Sequence, residues 1–132
     1  MDDDDKRGPP VAAEETLYQF VTVPSFWVAK ANRPSSSLFD NPPRVSVNIA
    51  SLTTVDECRR QLQQDLGKSD GGMVSYNCGQ ARDLSFDARH EPEHGNQAHA
   101  HLYCDLSLSN KRRKINAGRL ARLCGVVISP QF

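Results

Sequence analysis

Residues 44–50, Arg-Val-Ser-Val-Asn-Ile-Ala, alternate apolar and polar side chains, and a helix start follows within four residues. Successive side chains on a strand point to opposite faces. Val45, Val47 and Ile49 therefore share one face and Ser46 and Asn48 the other, the pattern of a strand with one face in a core. Thr54 and Glu57 then match the S/T-x-x-E capping box, in which each side chain satisfies a backbone amide of the other residue. Val55, Cys58, Leu62 and Leu66 continue an apolar stripe at helical spacing, and Gly67 is the expected stop. A half-buried strand running straight into an amphipathic helix requires the helix to lie back on the sheet.

The rest of the chain adds more strands than helices. Runs rich in β-branched or aromatic residues occur at 15–23, stopped by Pro24, and at 73–78, 98–106 and 126–128. A single helical turn at 81–84 and a short extended stretch at 84–88 lie between them. The second helix is expected over 111–124, with Ile115, Leu120 and Leu123 as inward residues and Gly125 as its end. Helices do not follow every strand, which excludes a parallel doubly wound sheet. The expected fold is α+β: a mixed or mostly antiparallel sheet of about five strands covered by two helices. With 132 residues, 38% of them hydrophobic, the chain suits one domain, expected over residues 14–132. The long 25–43 loop carries Phe26, Trp27 and several prolines. Loops of that length are often functional, and an exposed Phe26–Trp27 patch would suit an assembly protein.

Residues 1–13 are charged, poor in apolar side chains and broken by prolines, so they are expected to form a disordered acidic tail. The run from Asp2 to Lys6 is also the sequence cleaved by enteropeptidase and so fits an expression remnant. The longest apolar runs fall far short of the roughly 20 residues needed to span a bilayer. The acidic start also lacks the apolar centre of a secretory signal, so a cytoplasmic location is expected. Cys58, Cys78, Cys104 and Cys124 form no C-x-x-C pair and are expected to be free, packed thiols.

Formal net charge is zero, yet it is unevenly distributed. No carboxylate side chain follows Asp105, whereas Lys111, Arg112, Arg113, Lys114, Arg119 and Arg122 all lie beyond it. Such segregation suits a local contact surface for an acidic protein partner or for nucleic-acid phosphates. The plain alternative is a solvated helix face, with cations favoured near the C-terminus. No aromatic residue lies within this helix, so stacking on single strands would need Tyr76, Tyr103 or Trp27.

All four histidines, His90, His94, His99 and His101, fall within twelve residues. His99 and His101 would share one strand face and could act as a general acid/base pair. They could also bind a metal with His94, Glu93 or Cys104 as third ligand, although Cys104 would face the other way. Local packing and hydrogen bonding of these rings is the simpler expectation, with no metal and no cofactor. The pair is similar to part of the site of histidine-triad nucleotide hydrolases. Tyr103 stands at the third position, however, and no glycine-rich phosphate loop is nearby. Arg33, Ser35, Ser36 and Ser37, on a loop preset by Pro34, could hold a phosphate. Ser35 or Ser36 could equally cap a short turn containing Leu38 and Phe39.

Three segments, Arg33-Pro34-Ser35-Ser36, Leu52-Thr53-Thr54-x-x-Glu57 and Gln97-Ala98-His99-Ala100, carry a resemblance. With the basic last helix, the chain resembles a group of small, free-standing bacterial proteins without a characterised activity, over residues 15–130. Gln97 stands where that pattern has proline. The resemblance implies a bacterial cytoplasmic protein and no particular chemistry. The leading expectation is a non-enzymatic accessory module of a bacterial multi-gene system, binding a partner protein or nucleic acid through the basic helix. The alternative is a small phosphoester- or nucleotide-directed enzyme using His99 and His101 with Arg33 and Ser35.

Overall fold

A computed structural model describes residues 5–132. In chain order the strands are β1 (Thr16–Val21), β2 (Trp27–Val28), β3 (Arg33–Pro34), β4 (Arg44–Ile49), β5 (Gly72–Asn77), β6 (Phe86–His90), β7 (His99–Cys104) and β8 (Gly125–Ile128). The helices are α1 (Val55–Arg60), α2 (Cys78–Asp83) and α3 (Asn110–Leu123). Six strands form one sheet in the order β6-β7-β4-β1-β5-β8, with every neighbouring pair antiparallel. β2 and β3 form a separate two-stranded ribbon within the 25–43 loop. The α+β architecture thus follows the sequence expectation, with one strand more than expected. No helix among the described residues is long and apolar enough to cross a membrane.

Alternation along the strands sorts the sheet into two unlike faces. Leu17 and Val21 of β1, Val47 and Ile49 of β4, Val74 and Tyr76 of β5, and Ala100 and Leu102 of β7 line the main core. There they meet Ala117, Leu120 and Ala121 of α3 and Leu38 and Phe39 of the long loop. Burying a side chain such as Leu17 or Leu120 stabilises the fold by about 1.5–3 kcal/mol. A polar chain runs through this core: the Tyr76 hydroxyl donates to Gln19 (2.7 Å), whose amide donates to the Leu38 carbonyl (3.0 Å). Phe26 and Trp27 pack against the same core, so they form no exposed assembly patch.

The opposite face is covered only in part. α1 packs over the β1-β5-β8 side, where Cys58, Met73 and Ile128 form a small second core with Tyr18, Phe20 and Val55. Thr54 caps α1 by accepting from the Glu57 amide (3.1 Å). The expected reciprocal bond is replaced, because the Glu57 carboxylate turns to Arg60 (2.6 Å). An ion pair three residues ahead on the helix competes with the cap for the same carboxylate. The helix then widens into a π turn, Gln61–Asp65, which turns Gln61 and Leu62 onto the sheet. Gly67, with φ at +63°, ends it in a conformation that a side chain would strain.

α3 corrects the expected inward face. Asn116, Ala117, Leu120 and Ala121 are buried, whereas Ile115 and Leu123 are 39% and 47% exposed. Successive residues turn by about 100°, so a face centred midway between Ala117 and Leu120 takes in 116 and 121 at about 70° to either side, leaves 123 at its edge at about 90° and puts 115 nearly opposite. Two alanines on that face let the helix sit close to the sheet. Small size, rather than hydrophobicity, marks this contact.

The N-terminal segment also departs from expectation. Residues 1–4 of the expected acidic tail lie outside the described residues, and residues 5–13 take a defined course along β6. Val11 donates to the Ala88 carbonyl (2.9 Å) and His90 to the Pro9 carbonyl (2.8 Å), and Val11 is 5% exposed. Arg7 pairs with Asp5 (2.8 Å), and Arg89 with Asp87 (2.7 Å). Two prolines favour an extended chain, which here pairs with an available sheet edge.

Candidate functional site

The half of the second face that α1 leaves uncovered carries His99 and His101. β4 and β7 pair with Asn48 opposite His99, Ser46 opposite His101 and Arg44 opposite Tyr103. His99, His101 and Tyr103 therefore project from one side of β7, while Ala100, Leu102 and Cys104 face the main core. Cys104 is thus on the wrong side to join the histidines. β6 extends to His90, and the His90 ring contacts the Gln97 carbonyl (2.8 Å). The following segment folds over the sheet through a tight turn in which Glu93 and Asn96 exchange backbone hydrogen bonds. Gly95 at its tip has φ of +80°, while His94 beside it is exposed.

Between this turn and the end of α1 lies a groove of about 380 Å³. Its floor is a chain of amides: Asn96 donates to Asn48 (2.9 Å), and Asn48 donates to Gln61 (3.1 Å). Tyr18 and Phe20 supply an apolar flank, and Glu93 and His99 stand at the opposite wall. The π turn has a clear consequence here, because it brings Gln61 to the amide chain.

Glu91 organises the histidine side of the groove. One carboxylate oxygen accepts from the Tyr103 hydroxyl (2.7 Å) and contacts His101 Nδ1 (2.8 Å), while the other accepts from the Gly8 amide (3.1 Å). Burial pushes the Glu91 carboxyl upward, but the Tyr103, Gly8 and His101 contacts outweigh it and hold it below its usual value. Burial and the bond to Glu91 together raise the Tyr103 hydroxyl. Arg7 and Arg44 flank the Tyr103 ring, at 5.2 and 5.8 Å from its centre. A Cβ on Gly8 would lie 2.1 Å from the His90 carbonyl oxygen, so only glycine lets this strand approach Glu91.

The Arg33 group lies elsewhere. β3 and the turn after it belong to the layer that packs with α3, on the other side of the sheet from His99 and His101. Ser35 and Ser37 both donate to the Ser25 carbonyl (2.8 and 3.0 Å), which closes the loop on itself. Ser35 stands at the N-cap of the turn Ser36–Leu38 without making a side-chain cap bond, and Ser36 is exposed. The structure therefore brings His99 and His101 together but joins neither Arg33 nor Ser35 nor Ser36 to them.

The basic residues of α3 divide into two groups. Arg113 turns back on the preceding loop and donates to the Leu108 carbonyl (2.8 Å) and to Asn110. Lys111, Arg112, Lys114, Arg119 and Arg122 are exposed, with Ile115 among them. Among the described residues none of these five pairs with a carboxylate; ion pairs form instead around Arg7, Arg60, Arg82 and Arg89 and at His99 and His101.

Sequence reasoning missed Asn48, Gln61 and Asn96 as contributors to the groove, and Glu91 and Gly8 as supports of the histidines beside it. Only Asn48 left a trace, as a polar residue at alternate spacing on β4. No family model, curated protein or solved structure matches the chain.

Proposed function

We propose that this protein is a non-enzymatic binding module, an accessory component of a bacterial multi-gene system, that docks on an acidic protein surface through the open face of α3. The observation that carries it is a set of exposed cations, unpaired among the described residues and arranged around an exposed isoleucine. Lys111 and Arg112 stand in the first turn of α3, which contains no acidic residue. The partial positive charge of a helix N-terminus disfavours cations there by about 0.3–1 kcal/mol each. Lys111 and Lys114, and likewise Arg119 and Arg122, are like charges three residues apart, which adds a few tenths of a kcal/mol per pair. A merely solvated helix face has no reason to keep those unfavourable terms, whereas an anionic partner would relieve them.

Ile115 favours protein over nucleic acid as that partner. A half-exposed isoleucine ringed by cations matches an apolar contact with an acidic rim. It contributes little against phosphates. Tyr76 is buried and Trp27 is packed on the core, so neither offers a free stacking platform for single strands. The competing phosphoester enzyme loses support because its arginine and serines lie on the α3 side of the sheet, away from the histidines.

Titration of a labelled acidic peptide with interspersed leucines, beside duplex DNA of equal charge, tests the proposal. The expected result is peptide binding that weakens in the triple variant R112E/R119E/R122E and in Ile115→Ser. Nucleic acid read through four phosphate contacts would instead give a log–log salt slope of about −3.6 and no dependence on Ile115. Peptide binding unaffected by the triple charge reversal would refute the proposal.

A further inference from the structure

Glu93, His99 and His101 each offer one ligand atom, and these atoms all lie within 4.8 Å of one another. What sets the cluster apart from three neighbouring polar residues is how the histidines are held from behind. His99 Nδ1 is 2.8 Å from the Glu91 backbone carbonyl, which can only accept, so Nδ1 carries a proton. His101 Nδ1 is 2.8 Å from the Glu91 carboxylate, which already takes the Tyr103 hydroxyl and the Gly8 amide. A carboxylate gathering three donors acts as an acceptor, so His101 Nδ1 is protonated as well. In the neutral form, both rings are therefore fixed in the tautomer that leaves the Nε2 lone pair free.

Among the described residues no hydrogen-bond donor reaches those lone pairs. His99 is 5% exposed, and its Nε2 lies 3.3 Å from the Glu93 carboxylate. For a neutral ring that contact sets a lone pair against an anion. It becomes favourable in two ways: a proton on Nε2, or a cation between the two groups. A tetrahedral zinc ion with bonds of about 2.0–2.1 Å holds its ligand atoms about 3.3 Å apart, the separation already present between Nε2 and Glu93. The rings of His99 and His101 stand 4.6 Å apart at 86° to each other, edge to face.

We propose that Glu93, His99 and His101 form a binding site for a divalent transition-metal ion, zinc foremost, with Glu91 as the outer residue that orients both imidazoles. Two imidazole nitrogens and one carboxylate suit zinc, cobalt or nickel and do not suit calcium or magnesium. Three protein ligands leave a coordination position open. Glu93 and His99 also line the groove, so that position can take water or a small anionic ligand from it. The site stands on the sheet face opposite α3 and is independent of the proposed docking surface.

The test uses the full chain, stripped of metal by chelation and titrated with Zn2+ against a chromophoric competitor, and separately with Co2+. The expected result is one Zn2+ per chain and the visible absorption of Co2+ in a low-symmetry site. Glu93→Gln, at an exposed position that leaves folding intact, and His101→Gln should each weaken binding at least tenfold. Glu91→Gln should weaken it ten- to hundredfold without removing a ligand. His90→Ala should leave it unchanged. In the metal-free protein, long-range proton–nitrogen spectra at alkaline pH should show both rings protonated at Nδ1. Zinc binding that is absent, that survives Glu93→Gln and His101→Gln, or that is lost in His90→Ala overturns the proposal.

Discussion

Replacing Arg112 with glutamate should make this protein more stable, although it removes one of the exposed cations of α3. Ser109 caps the helix by accepting from the Arg112 amide (3.1 Å), which places Arg112 at the third helical position. The backbone bond does not depend on the side chain, so Arg112→Glu keeps the cap. A charge in the first turn interacts with the helix dipole by about 0.3–1 kcal/mol, and reversing its sign counts that interaction twice. That spans about 0.6–2 kcal/mol, and solvent screening at this exposed position favours the lower half, a gain of about 1 kcal/mol. For a chain of this length that raises Tm by about 3–5 °C. Thermal and urea unfolding followed by circular dichroism, at low salt and again near 0.5 M, measures it, and the gain should shrink with salt. Arg113→Ala is the counterpart. It removes the bonds to Leu108 and Asn110 and should lower stability by about 1–2 kcal/mol. An Arg112→Glu protein no more stable than the parent at low salt, or a gain indifferent to salt, would refute the electrostatic reasoning about this face. If the gain appears while acidic-peptide binding falls, stability and binding compete for the same residue.

Three further outcomes are expected. Burial pushes the Cys124 thiol from an ordinary 9.0 up to about 12. Its folded value exceeds its unfolded value, so its contribution is complete below pH 9 and lost as pH rises towards 12; the urea midpoint of Cys124→Ala should fall less steeply over that range than that of the parent. Deleting residues 1–12 removes the burial of Val11 and its bonded partners on β6. It should lower stability by about 2–3 kcal/mol, and an unchanged Tm would mean that the segment is not docked. Gly95→Ala meets no steric neighbour but forces a side chain into φ of +80°, so a loss of about 1 kcal/mol in urea unfolding is expected, with chemical-shift changes concentrated around His99.

Local patterns in the sequence carried much of the fold. The alternation of β4 and the Thr54 cap located a strand and a helix because both depend on neighbours in sequence. The shared face of His99 and His101 follows from the same period of two. Contacts between distant residues were not legible in that way. Glu91 sits in a run of charged and polar residues, and nothing local distinguishes it from Glu93; only the fold brings Gly8 to one and leaves the other exposed. Arg113 has the same chemistry as Arg112, and a difference of 100° around the helix decides which anchors a loop and which meets solvent. Ala117 and Ala121 carry too weak an apolar signal to outrank Ile115 and Leu123, yet the closeness of α3 to the sheet selects them. The capping box was half legible, because Arg60 competes for Glu57 across one helical turn.

The docked N-terminal segment bears on self-association. A six-stranded open sheet has two rims, each a template for another chain's backbone. On the β6 rim, Pro9 and Val11 bond inward, so the outward backbone position between them belongs to Pro10, which has no amide hydrogen. On the other rim, β8 is four residues long and is followed by Pro130, while the Gln131 amide is taken by the Asp70 carbonyl (2.7 Å). Strand-by-strand polymerisation is thereby disfavoured at both ends. What the sheet offers to other molecules is then side chains rather than open backbone.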